Sequence, residues 1–555
     1  MMISEELLRR GLITPGHLGE AVRLHETEGV RLDRALIRLG FVSERCVLEL
    51  LGEQLSLAVV DLSDVTIDAG TLRTVPSKLV FRKKIVPLSR HNGTLQVVTS
   101  DAYDLYAFDE IGLLTGLNIE PVLAPRDEID KIIKTHYGVG GDTVDEMVGG
   151  GDLDAISTVE DTEDLLEMAE EASVIKLVNE IILEAIKERA SDIHIEPYEH
   201  ELSIRYRIDG VLQEATVPPQ IHRFQAAIIS RIKILADMNI AEKRLPQDGR
   251  IKFQVGNGQV DVRTSVIPML FGEGVVMRLL DKSSVLYTLP ELGMDELTFE
   301  RFERLLRRPH GIILVTGPTG SGKTTTLYAA LNAIVGSDKK ILTVEDPVEY
   351  HLEGINQIPV SHKIGLTFER GLRAILRHDP DVVMVGEIRD LETAQAATQA
   401  ALTGHLVFST LHTNDTASAP TRLIDMGVEP FLVASTVIGA LAQRLVRKIC
   451  PECAVEYTPD RHQLSSDFTL EEGQKLRRGE GCRACRATGY HGRLGIFELM
   501  AMDEAVAEQI MIRAPVHELI RTARQSGLRL LREDGWTKVR EGSTTPEEVL
   551  RCTAG

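Results

Sequence analysis

GIILVTGPTGSGKTTTLYAALNAIV, from Gly311 to Val335, joins a short apolar run, a glycine-rich loop and a helical pattern. Within it, Gly317-Pro318-Thr319-Gly320-Ser321-Gly322-Lys323-Thr324 matches G-x-x-x-x-G-K-[ST] in full, with Thr325 next on the helix. A strand before and a helix after form the context a phosphate-binding loop requires. The glycines let backbone N–H groups approach phosphate oxygens, and the helix N-terminus adds positive potential. Lys323 reaches the β- and γ-phosphates, and Thr324 offers Mg²⁺ a hydroxyl. More short apolar runs follow, ILTV from Ile341, DVVMV from Asp381 and HLVFST from His405, separated by helical stretches. Such alternation predicts a parallel sheet buried on both faces, the layout of an α/β ATPase core.

Hydrolysis on this core needs one carboxylate to aim water at the γ-phosphate and hard oxygen ligands for Mg²⁺. Thr343-Val-Glu345-Asp346-Pro347-Val-Glu349 places three carboxylates at the end of the second strand, and Asp381-Val-Val-Met-Val-Gly386-Glu387 ends the third in an acid. Alone, the first would be an acidic turn and the second a core strand with a solvated end. Downstream of the phosphate loop they supply both roles. Gly404-His405-Leu-Val-Phe-Ser-Thr-Leu-His412-Thr413 brackets the fourth strand with histidines. One histidine is more often structural than catalytic, but two on this sheet could touch the γ-phosphate.

Around this core the 555 residues are long enough for three or four domains at roughly 150 residues each. Boundaries fall at 1–137 (N-terminal helical and α+β adaptor), 138–172 (flexible acidic linker) and 173–290 (second α+β domain). They continue at 291–445 (ATPase core), 446–497 (cysteine-bearing insertion) and 498–555 (helical tail). In the adaptor, Gly11-Leu-Ile-Thr14 and Gly40-Phe-Val-Ser43 form a short repeat, each opening a helix with Thr14 or Ser43 as N-cap. VVDLSD, IVPLSR and TLQVVTSD read as strands, and Pro125 to Tyr137 as a helix. A helix resumes near Ser173, before alternating strands in SDIHIEP, IRYRIDGVLQEA and IKFQVGNGQVDVRTSV. The tail is broken at Gly527, Gly535 and Gly542.

Lys and Arg number 62 against 83 Asp and Glu, and twelve of the acids lie between Asp142 and Glu171 with no basic residue among them. Much of the net charge of −21 is thus a property of the tether, and the balance argues against phosphate-backbone binding as the main task. No apolar run is long enough to span a bilayer, and the N-terminus carries no export pattern, so a cytosolic chain is expected. Four of the six cysteines form two pairs, Cys450-Pro-Glu-Cys453 and Cys482-Arg-Ala-Cys485, separated by 28 residues. Four thiolates suit a closed tetrahedral Zn²⁺ site with no ligand position left for catalysis. Cys46 and Cys552 are expected to be unpaired.

In order and spacing, the Walker A loop, the acidic box TVEDPVE, the Walker B segment VGEIRD and the histidine box GHLVFSTLHT resemble the secretion and pilus-assembly ATPase family of type II and type IV systems. The resemblance runs from about residue 1 to 555. It implies a RecA-like core in which Glu349 activates water, Glu387 is the Walker B acid beside Mg²⁺, Glu345 and Asp346 give support, and His405 and His412 sense the γ-phosphate. SDIHIEP, YRIDG, IAEKRLPQDGR and VVMRLLD resemble the family's second N-terminal, PAS-like domain, which packs over a neighbour's nucleotide. A homo-hexamer follows, with Arg207, Arg263 and Arg278 as candidates for an arginine supplied across subunits. The cofactors implied are ATP, Mg²⁺ and a structural Zn²⁺. The partners are an inner-membrane platform and anchor proteins with cytoplasmic domains, which place the chain peripherally on the cytoplasmic side of the inner membrane.

EDLLEMAEEASVIKLVNEIILEAIKERASDIHIEPYE and GLRLLREDGWTKVREGSTTPEEVL look closest to type II secretion ATPases, with pilus-extension ATPases slightly less similar. Some relatives bind cyclic di-GMP through a repeated motif that begins Arg-Leu-Gly. Here the second copy reads Arg31-Leu32-Asp33 and the first has no such start, which favours a protein-docking adaptor. A nucleic-acid translocase would share the sheet but should carry basic, aromatic loops, and a nucleotide-gated scaffold would bind ATP without cleaving it.

Overall fold

The computed structural model describes residues 3–553, apart from 63–64, 66, 142, 145–146, 148–167, 169, 257, 282–286, 461–463 and 472. The chain divides into two compact units, residues 1–281 and 282–555.

The first unit opens with short helices whose starts follow the repeat: Thr14 accepts from His17 N and Ser43 from Cys46 N. Leu7, Ile13, Ala21, Leu36 and Leu50 close a small core between them. Strands β1 (Val86–His91), β2 (Thr94–Thr99) and β3 (Asn118–Leu123) form a three-stranded sheet, with helix Arg126–Tyr137 against it. VVDLSD contributes only a bridge, Val59 to Leu123, and its Ser63 and Asp64 lie outside the described residues.

A six-stranded antiparallel sheet follows in the order β6-β5-β4-β9-β8-β7, comprising β4 (Asp192–Pro197), β5 (Leu202–Ile208), β6 (Val211–Glu214), β7 (Gln247–Val255), β8 (Gly258–Met269) and β9 (Gly272–Asp281). Alternation along β5 buries Leu202, Ile204, Tyr206 and Ile208 and leaves Arg205 and Arg207 on the other face. Helix Ala172–Lys187 covers the apolar face with Val174, Leu177, Val178 and Ile181. Val144 and Met147, inside the expected tether, are buried in this same core, while residues 148–167, with most of the acidic run, lie outside the described residues.

The second unit is built on a seven-stranded sheet, order β12-β11-β13-β14-β10-β15-β18. Its strands are β10 (Gly311–Thr316), β11 (Ile341–Glu345), β12 (Asn356–Pro359), β13 (Val382–Val385), β14 (Leu406–Leu411), β15 (Val437–Ile449) and β18 (Tyr490–Ala501). All neighbours pair in parallel except β15 with β18. Each of β10, β11, β13 and β14 is buried along its whole length, which is why their sequences are runs and not alternations. β15 and β18 continue this sheet, so the cysteine-bearing excursion proper, with its hairpin β16 (Ala454–Tyr457) and β17 (Leu476–Gly479), lies between them.

Of the three tail glycines, Gly527 and Gly542 follow helix ends with φ of 88° and 73°, as a break requires. Gly535 instead lies inside helix Leu531–Arg540, where a Cβ would stand 2.6 Å from Val549 Cγ1. There glycine serves helix packing and ends nothing. No described helix is long and apolar enough to cross a membrane.

Candidate active site at the C-terminal edge of the parallel sheet

Parallel strands deliver their following loops to one edge, and β10, β11, β13 and β14 all end there. That edge collects Gly317–Thr324 after β10, Asp346–Glu349 after β11, Glu387 beyond β13 and His412 after β14. Gly322 takes φ 89° immediately before helix Lys323–Ile334, a left-handed turn that aims the helix N-terminus back at the loop. Pro318, Thr319 and Gly320 are exposed, Ser321 is buried, and Thr324 and Thr325 are half-buried on the first turn. Lys323 Nζ donates to Gly317 O at 2.8 Å and Pro318 O at 3.1 Å. Burial pushes its ammonium down in proton affinity, while the charge of Glu387 pulls it up and that of Arg444 lowers it again.

Glu387 is paired with Arg389 and lies 3.3 Å from His412 Nε2. The start of the phosphate loop is stitched to the histidine loop: Thr316 Oγ1 donates to Thr413 O at 2.9 Å and accepts from Thr413 N at 2.9 Å. Lys323, Glu387 and His412 therefore lie just beyond the ends of three neighbouring strands, β10, β13 and β14, around one opening. His405 is not with them. It precedes β14 at the opposite edge, where Nδ1 meets Ala400 O at 2.9 Å and Thr403 Oγ1 at 3.1 Å. A six-residue strand spans roughly 20 Å, so the two histidines cannot meet one phosphate.

The three acids of TVEDPVE separate by burial. Glu345 is 3% exposed and accepts from Tyr328 OH, Thr343 Oγ1 (2.5 Å) and Gln357 Nε2 (3.1 Å), which makes it a brace between the sheet and the phosphate-loop helix. Asp346 is exposed and faces His362 Nε2 at 3.2 Å. Glu349 is half-buried, and its backbone N–H donates to Tyr328 OH at 3.3 Å. Tyr328, Gln357 and, on β15, Gln443 and Arg444 belong to no motif of the sequence; the signal for the last two is a Gln-Arg pair that ends the apolar half of the strand.

In the first unit, Asp192 accepts Arg278 Nε at 2.9 Å and lies 3.7 Å from Arg207 Nε. Register places Arg263 opposite Arg278, so the three candidate arginines share one cross-strand row.

Cys450, Cys453, Cys482 and Cys485 place their sulfurs within 4.8 Å of one another. Cys450–Cys482, Cys453–Cys485 and Cys482–Cys485 are each 3.7 Å apart. A tetrahedral zinc with bonds of about 2.3 Å requires S···S distances of about 3.8 Å. Without an ion, burial pushes the Cys450 thiol up and the Cys453 thiol up to about 12, whereas the N–H groups of Cys482 and Gly489 outweigh burial at Cys485 and bring it down to about 7. The donors fit the ion.

A parallel RecA-like sheet with this edge defines a P-loop ATPase. A family model described as type II/IV secretion system protein matches residues 167–551, and one described as MshEN domain matches residues 55–143. "Type II secretion system protein E" of Xanthomonas campestris pv. campestris is 46% identical over 99% of this chain and 98% of that protein. "Type IV pilus assembly ATPase PilB" of Myxococcus xanthus is 42% identical over 100% of this chain and 99% of that protein. The crystal structure of the ATPase DotB from Yersinia pseudotuberculosis shares the fold, with a TM-score of 0.50 at 20% identity over 68% of this chain and 94% of that one. The chain belongs to the type II/IV secretion system protein family, and is an ATP-hydrolysing enzyme of that family.

Proposed function

We propose that this chain is the motor ATPase of a type II secretion machine, working on the cytoplasmic side of the inner membrane to drive pseudopilus assembly and protein export. The observation that carries the reading is the convergence of Lys323, Glu387 and His412 at the mouth of the Gly317–Thr324 loop. In it, backbone amides and Lys323 bind the triphosphate, and Thr324 and Glu387 flank Mg²⁺. Glu349 positions the attacking water, and His412, held by Glu387, reads the γ-phosphate. Asp346 supports the acidic loop through His362, and Glu345 sets its position from below. His405 takes a structural role at the far edge. Six copies form a ring in which the row of Arg207, Arg263 and Arg278 is offered to a neighbouring subunit's nucleotide. The four cysteines hold a structural Zn²⁺. Platform and anchor proteins of the inner membrane are the partners.

Pilus extension is the second reading, favoured by a relative whose identity is only four points lower, 42% against 46%. Replacing the chromosomal allele with Lys323→Ala in the source bacterium separates them. Lost secretion with pili intact assigns the chain to type II secretion, and lost pili with normal secretion assigns it to pilus extension.

A further inference from the structure

Along a strand, successive side chains face opposite ways, so Gln443 and Arg444 of β15 meet the phosphate loop from different sides. Gln443 is 1% exposed, and its Oε1 accepts Thr326 Oγ1 at 2.6 Å. A Cβ on Gly322 would lie 2.8 Å from its Nε2. Gln443 thus braces the loop from within. Arg444 is half-buried at the loop's start, where a Cβ on Gly317 would lie 3.2 Å from Nη1. Its guanidinium donates to Gln443 O at 3.0 Å, Asn414 O at 3.0 Å and Asn414 Oδ1 at 3.2 Å.

All three acceptors are neutral, and among the described residues no carboxylate stands within ion-pair distance of Arg444. Its charge reaches Lys323, which it disfavours as a cation. Two partly desolvated cations at one opening are costly until a polyanion joins them. Asn414 directly follows Thr413, whose backbone and hydroxyl hold Thr316 at the end of β10. The guanidinium therefore bridges the phosphate loop and the loop after His412.

We propose that Arg444 is a further nucleotide-binding residue, acting within its own subunit. One edge of its planar fork keeps Asn414, and the remaining donors take a phosphate oxygen of the bound nucleoside di- or triphosphate. The proposal rests on the reading of Gly317–Thr324 as the nucleotide site, and the test separates the two. Full-length wild type, Arg444→Gln, Arg444→Lys and Asn414→Ala are titrated with fluorescent ADP and ATP analogues in the presence of Mg²⁺. No binding by wild type would overturn the site itself.

With wild type binding, loss of a charge-assisted bond to phosphate weakens Arg444→Gln about 10- to 100-fold. Arg444→Lys stays within about threefold, because it keeps the charge, and Asn414→Ala stays near wild type. The gap between the Gln and Lys variants narrows as salt rises. Arg444→Gln within about twofold of wild type would overturn the proposal. So would an Asn414→Ala loss as large as that of Arg444→Gln, because the arginine would then only hold a loop. If Arg444→Gln does not fold, Arg444→Met decides on the same scale: a loss of about tenfold or more supports phosphate contact, and affinity within about twofold of wild type refutes it.

Discussion

Glu345 and Glu349 sit four positions apart in one acidic box, and their surroundings give them different work. Glu345 is closed in by Tyr328, Thr343 and Gln357, so Glu345→Ala strands buried donors and should cost about 3 kcal/mol, read as a lower urea midpoint. Glu349→Gln should leave folding and nucleotide binding intact while turnover falls about 100-fold or more, the contribution of a positioned base. Measured together, the two variants should therefore move different observables. The box was legible as a cluster of carboxylates, but the rank within it was not. Tyr328 and Gln357, which bury Glu345, come from a helix before the box and a strand after it, and no local spacing announces them. Lys323 and its glycines were legible because chemistry fixes both their types and their spacing.

At the scale of elements, the buried parallel strands were readable because full burial leaves uninterrupted apolar runs. β15 was harder. It is almost wholly buried from Val437 to Gln443 and more open from Arg444 on, so its sequence VIGALAQRLVRKI mixes an apolar half with a charged one. Gly535 was read as a helix break because sequence alone does not show that helix Pro546–Thr553 crosses against it. Gly535→Ala should overpack Val549 and cost about 1–3 kcal/mol in thermal unfolding.

That last helix is also anchored by Glu548, which accepts from Arg447 and Arg551. Burial raises the Glu548 carboxyl, but these partners and the Arg447 N–H outweigh it and hold it at about 2, against 4.5 for an ordinary glutamate. Because the folded value is the lower one, this stabilisation is present above pH 4.5 and is lost as pH falls toward 2. Thermal melts should show a steeper acid loss in wild type than in Glu548→Gln over that window.

For the whole molecule, two compact units divide the labour. One carries the arginine row, and the other carries the phosphate loop, the carboxylates and the four-cysteine cluster. The cysteine spacing already pointed to a closed metal site, and S···S distances of 3.7 Å are what zinc demands. Purified protein should carry one zinc per chain by elemental analysis, and Cys482→Ser should lose it together with a lower melting temperature. Equal metal content in that variant would reject the site. The length of the acidic run was plain in the sequence, yet Val144 and Met147 near its start pack into a core, because they are apolar residues in an otherwise charged segment.

Phosphate release from Mg-ATP by the full-length protein, compared across wild type, Lys323→Ala and Glu349→Gln, tests the central claim most directly. The account predicts turnover by wild type, loss of both nucleotide binding and turnover in Lys323→Ala, and binding without turnover in Glu349→Gln. Full activity in both variants would contradict it.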